Sequence, residues 1–297
     1  MTGGVIEPLP DRDGIDHSLI GVRDLEAARR TWQSLGFTVT PRGRHIGWGT
    51  ANYCLMFERG YVELLGILDP AQFTNDLDKF LADREGLLGL AFASADARST
   101  AARLAAAGLH PDGPKDLKRL LELPEGDQLP AFKLVHLPSA ELPDLRAFFC
   151  QHLTPELVRR SDWLVHANGA KRLVALTVVS DRPAELAPAY GRIFGATAVK
   201  LDGASLTIDR GSSQVRFMTP AALDSRYRGV AIPTHRRPWM AVQTVGVADL
   251  GWTAEVLRRN GQRPVEGDGR LLIDPRAATG CLLEFMGVQS SHEPTLS

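Results

Sequence analysis

One pattern of apolar and polar positions recurs four times along the chain. A short apolar run of strand type meets an aspartate, a stretch of helical period follows, and a glycine closes it. In the first copy the run is His17 to Val22 and the aspartate is Asp24; Leu25, Ala28, Trp32 and Leu35 share one helical face, and Gly36 closes. The second copy has Leu90 to Ser94, Asp96 and Gly108; the third Leu173 to Val179, Asp181 and Gly195; the fourth Met240 to Val247, Asp249 and Gly261. An aspartate at such a position accepts hydrogen bonds from the free amides of a first helical turn, and a glycine tolerates the left-handed residue that commonly ends a helix.

Further apolar runs predict strands after each glycine: 37–39, 52–57 and 61–67; then 131–137 and 145–153; then near 198, at 204–208 and 214–218; and finally 270–273 and 281–286. The Pro-, Gly- and charge-rich stretch 111–130 reads as an insertion or long loop, and Pro188 predicts a kink or a short first turn in the third helix. Copies of one supersecondary unit bury their apolar faces against each other. The expectation is therefore an α+β fold of four β-α-β-β-β modules paired into two concave, mixed-sheet half-barrels. The domains are expected at 14–155 and 171–288, joined by a polar linker at 156–170, with a disordered leader and a disordered tail after Val288.

Composition narrows the function. Hydrophobic residues make up 44% and charged residues 23%, as in an ordinary globular protein. With 34 basic against 35 acidic residues there is no excess charge to neutralise phosphates, so nucleic acid is not the expected partner. No apolar run approaches the ~20 residues of a membrane span, and residues 1–13 lack the basic-then-apolar order of a signal peptide. Cys54, Cys150 and Cys281 lie far apart in apolar runs and read as buried thiols, which suits a cytoplasmic location.

The chemistry-bearing residues concentrate in the first copy. The segment from Arg42 to Asn52 is rich in glycine, which permits a tight path and close ligand approach. Arg44 and His45 suit a carboxylate or phosphate, and Asn52 suits a carbonyl. The plainer alternative is a turn shaped by Gly43, Gly47 and Gly49. His166 and Asn168 either reach over the first copy, as a third ligand or a proton relay, or tie the linker to the third copy. The arginines 226, 228, 236 and 237 read as a solvated face.

Asp16-His17, the helix end Leu35-Gly36-Phe37, the loop Gly43-Arg44-His45 with Gly49-Thr50 and Asn52, and Tyr61-Val62-Glu63-Leu64 resemble the glyoxalase-like branch of the vicinal oxygen chelate superfamily, the group of glyoxalases, extradiol dioxygenases and bleomycin-resistance proteins. The segment from His166 through Asn168 and Gly169 to Ala170 resembles a motif of the same branch. The resemblance implies two glyoxalase-like domains. It also implies that first and last strands supply metal ligands on a concave face, here His17 and Glu63. An imidazole and a carboxylate suit a divalent Zn, Ni, Mn or Fe ion; without a metal, His17 is a hydrogen-bonded strand histidine and Glu63 a paired carboxylate. The matching first-strand positions fall near Gly89, Val174 and Val242, and the last strands offer Gln151 or His152, Arg216 and Glu284, so the usual four ligands are not assembled.

Two functions follow. One is a metal-assisted lyase or isomerase acting on a small oxygenated substrate, with His17 and Glu63 as metal ligands and His45 or His152 as third ligand or general base. Arg44, Trp48, Thr50, Asn52, Tyr53, His166 and Asn168 would then bind substrate. The other is a non-catalytic, sequestering small-molecule binder in which Trp48, Tyr53 and Phe149 matter more than His17. A third expectation stands apart from these: with Val174 and Val242 at its ligand positions, the second half has lost its site and only supports the first half or a homodimer.

Overall fold

The structure is a computed structural model and describes residues 14–288; the leader and tail expected to be disordered lie outside them. The chain runs β1 (Ile15–Gly21), α1 (Leu25–Ser34), β2 (Gly43–His45), β3 (Thr50–Met56), β4 (Tyr61–Ile67), α2 (Leu77–Asp83), β5 (Gly86–Ala93), α3 (Ala97–Ala106), β6 (Asp112–Leu121), β7 (Ala131–His136) and β8 (Ala147–His152). It continues with β9 (Ala170–Val179), α4 (Ala187–Phe194), β10 (Val199–Asp202), β11 (Ser205–Arg210), β12 (Ser213–Met218), α5 (Pro220–Arg226), β13 (Trp239–Val247), α6 (Leu250–Arg259), β14 (Val265–Gly267), β15 (Arg270–Ile273) and β16 (Leu282–Gly287).

The recurrent aspartates act largely as the pattern requires. Asp24, Asp96 and Asp249 accept from the backbone amides of Ala27, Ser99 and Trp252 at the starts of α1, α3 and α6. Asp181 caps nothing; it pairs with Arg237, and the chain passes through a 3₁₀ turn before α4, where Pro188 sits in the first turn. Gly36 closes α1 at a positive φ of 86°, and a Cβ there would lie 2.9 Å from that of Asn168. Glycine at this position therefore relieves the backbone and admits a neighbour.

The strands form two eight-stranded mixed sheets. The first has the order β1-β4-β3-β2-β6-β7-β8-β5 and closes on itself as β1 pairs with β5; the second is open, in the order β10-β11-β12-β9-β13-β16-β15-β14. The expected half-barrel is thus a full barrel in the first half. Two departures from the sequence pattern make closure possible. The expected strand at 37–39 is irregular, and its place is taken by β2; the expected loop at 111–130 contains the ten-residue β6. These two strands pair, His45 opposite Arg119 and Gly43 opposite Leu121, and seal the wall.

The sheets share one core. Phe92 of β5 meets Phe194 of α4 at 4.7 Å between ring centroids, and Phe37 stacks on Phe285 of β16 at 5.9 Å. Ser18 Oγ donates to Gln243 Oε1 of β13 at 2.5 Å. Strand alternation therefore divides the barrel residues: Ile20, Val62, Leu64 and Phe92 face the common core, while His17, Leu19, Tyr61, Glu63 and Leu65 face the barrel interior. Among the described residues no helix is long and apolar enough to cross a membrane.

Candidate active site in the closed barrel

The barrel encloses a cavity of about 190 Å³, walled by Leu19, Leu65, Leu88, Leu117, Phe132, Leu134 and Phe148, with His17, His45, Asn52, Tyr61, Glu63, Arg119, His136 and Arg146 among its polar groups. A register shift between Ile15 and His17 makes Asp16 the extra residue of a bulge in β1. Bulges re-aim side chains, and Asp16 comes to lie beside its neighbour: His17 Nδ1–H donates to Asp16 Oδ1 at 2.7 Å, and His152 Nε2–H donates to the same oxygen at 3.0 Å. On the other side of the imidazole, His17 Nε2 is 3.5 Å from Glu63 Oε2. Asn52 Nδ2 donates to Glu63 Oε1 at 2.5 Å, and His45 Nε2 lies 3.9 Å from that oxygen. His45 Nδ1 meets Thr50 Oγ1 at 2.9 Å, and Tyr61 stacks on His17 at 4.4 Å.

Burial opposes the ionisation of Asp16, but attraction and hydrogen bonding from His152 and His17 outweigh it and hold this carboxyl well below the usual range. Glu63 is buried too; His17, His45, Arg119 and the Asn52 amide overcome the burial and lower it. Burial depresses His45, partly offset by Glu63, so its imidazole is neutral near neutral pH. Burial also pushes the Tyr61 phenol and the Cys150 thiol well above their ordinary values.

The barrel brings His17, His45, Trp48, Thr50, Asn52 and Glu63 to one cavity. Other expected site residues lie elsewhere. Arg44 alternates out of the barrel between Gly43 and His45, and its Nε pairs with Glu122 Oε1 at 2.6 Å. Tyr53 likewise faces the other side of β3, where its hydroxyl meets Glu26 of α1. His152 stands behind Asp16 rather than on the cavity wall, and its Nδ1 is buried without a hydrogen-bond partner. His166 lies outside the barrel: Nδ1 accepts from the Thr38 amide at 3.0 Å, Nε2–H donates to the Met56 carbonyl at 2.8 Å, and burial brings its pKa down to about 4. Asn168 bonds the Leu35 carbonyl and the Ala170 amide. Both residues fasten the connection between the sheets. Phe149 packs on Phe92 in the core, and its neighbour Phe148 takes the cavity position.

Register fixes which positions correspond. The residue five before each recurrent aspartate pairs with Glu63 in the first copy, Phe148 in the second, Val215 in the third and Glu284 in the fourth. The last strand of the second copy therefore presents Phe148 rather than Gln151 or His152; in the third copy the phase differs, Val215 lying in the common core and Arg216 on the opposite, concave face near Tyr227. The residue seven before the aspartate is His17, Gly89, Val174 and Val242.

Two clusters in the barrel offer ligand atoms to a divalent ion. Asp16, Cys150 and His152 have ligand atoms within 4.8 Å of one another. Asp16 already accepts two imidazole N–H groups there, and the thiol is held protonated, so the trio needs no metal. At His17 and Glu63 the donor set fits. With Nδ1 engaged by Asp16, His17 turns Nε2 towards a carboxylate oxygen, and a cation between them would take both atoms as ligands. Each donor is braced from behind, His17 by Asp16 and Glu63 by Asn52, as ligands to metals generally are.

Comparison with known proteins agrees with this architecture. A family model described as a glyoxalase-like domain matches residues 15–194, well over half of the 297-residue chain. The chain belongs to the glyoxalase-like family of the vicinal oxygen chelate superfamily. No match to a curated protein was found. Among solved structures, the glyoxalase-like chain is similar to a hypothetical protein from Staphylococcus aureus (TM-score 0.65, 12% identity, 92% of this chain and 99% of that one). It is also similar to a mutant of 4-hydroxymandelate synthase from Streptomyces coelicolor (TM-score 0.60, 13% identity, 97% and 95%). A third likeness is to a fusion of a xylose isomerase-like TIM barrel with 4-hydroxyphenylpyruvate dioxygenase (TM-score 0.59, 13% identity, 99% of this chain and 52% of that one). At these identities the likeness concerns the fold.

Sequence reading missed Arg119, Phe132, Leu134 and Phe148 of the cavity. A signal for Arg119 was present: Leu117, Arg119 and Leu121 share one phase of a strand, with Asp116 and Lys118 on the other. The surrounding prolines and charges masked it.

Proposed function

We propose that the closed barrel is the active centre of a metal-assisted lyase or isomerase acting on a small oxygenated substrate. The 3.5 Å approach of His17 Nε2 to Glu63 Oε2 on the wall of a largely apolar cavity carries this reading. We read the chain as two glyoxalase-like domains, 14–155 and 171–288, each built from two β-α-β-β-β modules and joined by 156–170.

His17 and Glu63 would hold a divalent ion such as Zn, Ni, Mn or Fe, which when bound polarises neighbouring oxygens of a substrate. Asp16 fixes the His17 tautomer, and Asn52 fixes the carboxylate. His45, neutral and facing the cavity, takes and returns a proton. The leucine and phenylalanine walls exclude water and strengthen each of these interactions.

A second reading, non-catalytic sequestration of a small molecule, is favoured by Gly89 and Phe148 at the other two ligand positions of the barrel. Metal analysis of protein purified without a histidine tag separates the two. The catalytic reading expects close to one divalent ion per chain in the wild type and loss of that ion in His17→Ala and in Glu63→Gln. Metal-free wild-type protein that still binds ligand would instead establish the binding reading.

A further inference from the structure

Two arginines line the cavity: Arg146 donates to the Asn75 carbonyl at 2.7 Å, whereas Arg119 is accounted for by neither the proposed metal centre nor an ion pair. Arg119 is only 4% exposed and lines the cavity. Its Nη1 donates to Cys54 Sγ at 3.2 Å, a weak acceptor, and its Nε has no hydrogen-bond partner. Among the described residues no carboxylate forms an ion pair with it; Glu63 acts on it only at longer range. A guanidinium carries five N–H donors, and burying one without a counter-ion is costly.

The surroundings are shaped to keep it there. Arg119 stands opposite His45 across the seam that closes the barrel, and its side chain crosses β2 to reach Cys54 on β3. It crosses at Gly43. A Cβ at that position would lie 3.2 Å from Arg119 Cδ and 2.3 Å from Asn52 Oδ1. Glycine 43 thus leaves room both for the arginine and for the asparagine that braces Glu63. Phe132 covers the guanidinium at 5.6 Å.

We propose that Arg119 is the anchor for a carboxylate on the ligand, so that the barrel takes small organic acids with an apolar body. A carboxylate matches the planar fork of a guanidinium and supplies the counter-ion it lacks. The size is suitable: a dry cavity of about 150 Å³ accepts benzene, and this one is about 190 Å³ with leucine and phenylalanine walls. An aromatic acid of benzoate size fills it with the carboxylate on Arg119 and the ring against Phe132 and Leu134.

The inference rests on the reading of the barrel as a ligand site and is tested on the full chain by calorimetry, with benzoate and its neutral counterpart benzamide as probes, with and without a chelator. Benzoate is expected to bind roughly tenfold or more tightly than benzamide, the difference a charged hydrogen-bonded pair supplies. The preference should persist in the chelator, shrink in Arg119→Lys and vanish in Arg119→Met. Equal binding of the two probes by the wild type overturns the role of Arg119 while leaving the ligand site intact, and needs no variant to fold. Failure of both probes to bind removes the ligand site and this inference together.

Discussion

The two sheets carry the same carboxylate position with opposite surroundings. In the barrel, Glu63 faces a cavity, with His17 on one side and Asn52 on the other. In the open sheet, the equivalent Glu284 is 2% exposed and its Oε2 accepts from Thr244 Oγ1 at 2.6 Å and from the Tyr227 hydroxyl at 3.2 Å. Arg270 Nη1 adds a contact at 3.3 Å, and Val242 stands where His17 would be. Tyr227 follows α5 directly, and with Leu223 of that helix it packs on Val242, Leu272 and Leu282 of the second sheet. One fold thus places one carboxylate in two ways: where the sheet closes around space it faces a cavity, and where a helix fills the concavity it becomes an internal hydrogen-bond acceptor.

The largest expected effect tests the filled side. Tyr227→Ala removes a fully buried ring and one partner of Glu284, and should cost about 3–5 kcal/mol in denaturant unfolding. A cost near that of a surface substitution would break the contrast. A second test uses acid. Of the buried histidines, His17 and His152 lie in the barrel and His166 packs against its outside. His166 is neutral both folded and unfolded at neutral pH. As the pH falls from about 6.5 towards 4, the unfolded chain takes up a proton that the folded one refuses, so stability is lost. The loss should reach about 2–3 kcal/mol by pH 4.5, and His166→Gln should flatten that part of the pH profile. The smallest effect sharpens the boundary of the site. Arg44→Ala removes a half-exposed ion pair with Glu122, should cost less than about 1 kcal/mol, and should leave benzoate affinity unchanged.

The contrast also explains what the sequence could disclose. The capped helices and their closing glycines were legible because an aspartate and a glycine at fixed spacing act locally. The convergence of His17 on Glu63 could be anticipated only through the resemblance, because it depends on parallel pairing of β1 with β4 across an intervening helix. The inward turn of Asp16 was hidden, since a bulge leaves no mark in composition. Arg44 and Tyr53 were misplaced by a single step of strand alternation, the smallest error that sends a side chain to the opposite face. Arg119 was missed because strand β6 is rich in the residues that ordinarily signal a loop.

The seam between β2 and β6 has one more consequence. A tube of backbone hydrogen bonds cannot spread sideways without breaking them, so its contents must be exchanged through an end. The cavity is flanked there by Trp48 and by the loop at Thr74, Asn75 and Leu77. The residence time of a guest of the proposed site would then be set at that end rather than by the staves.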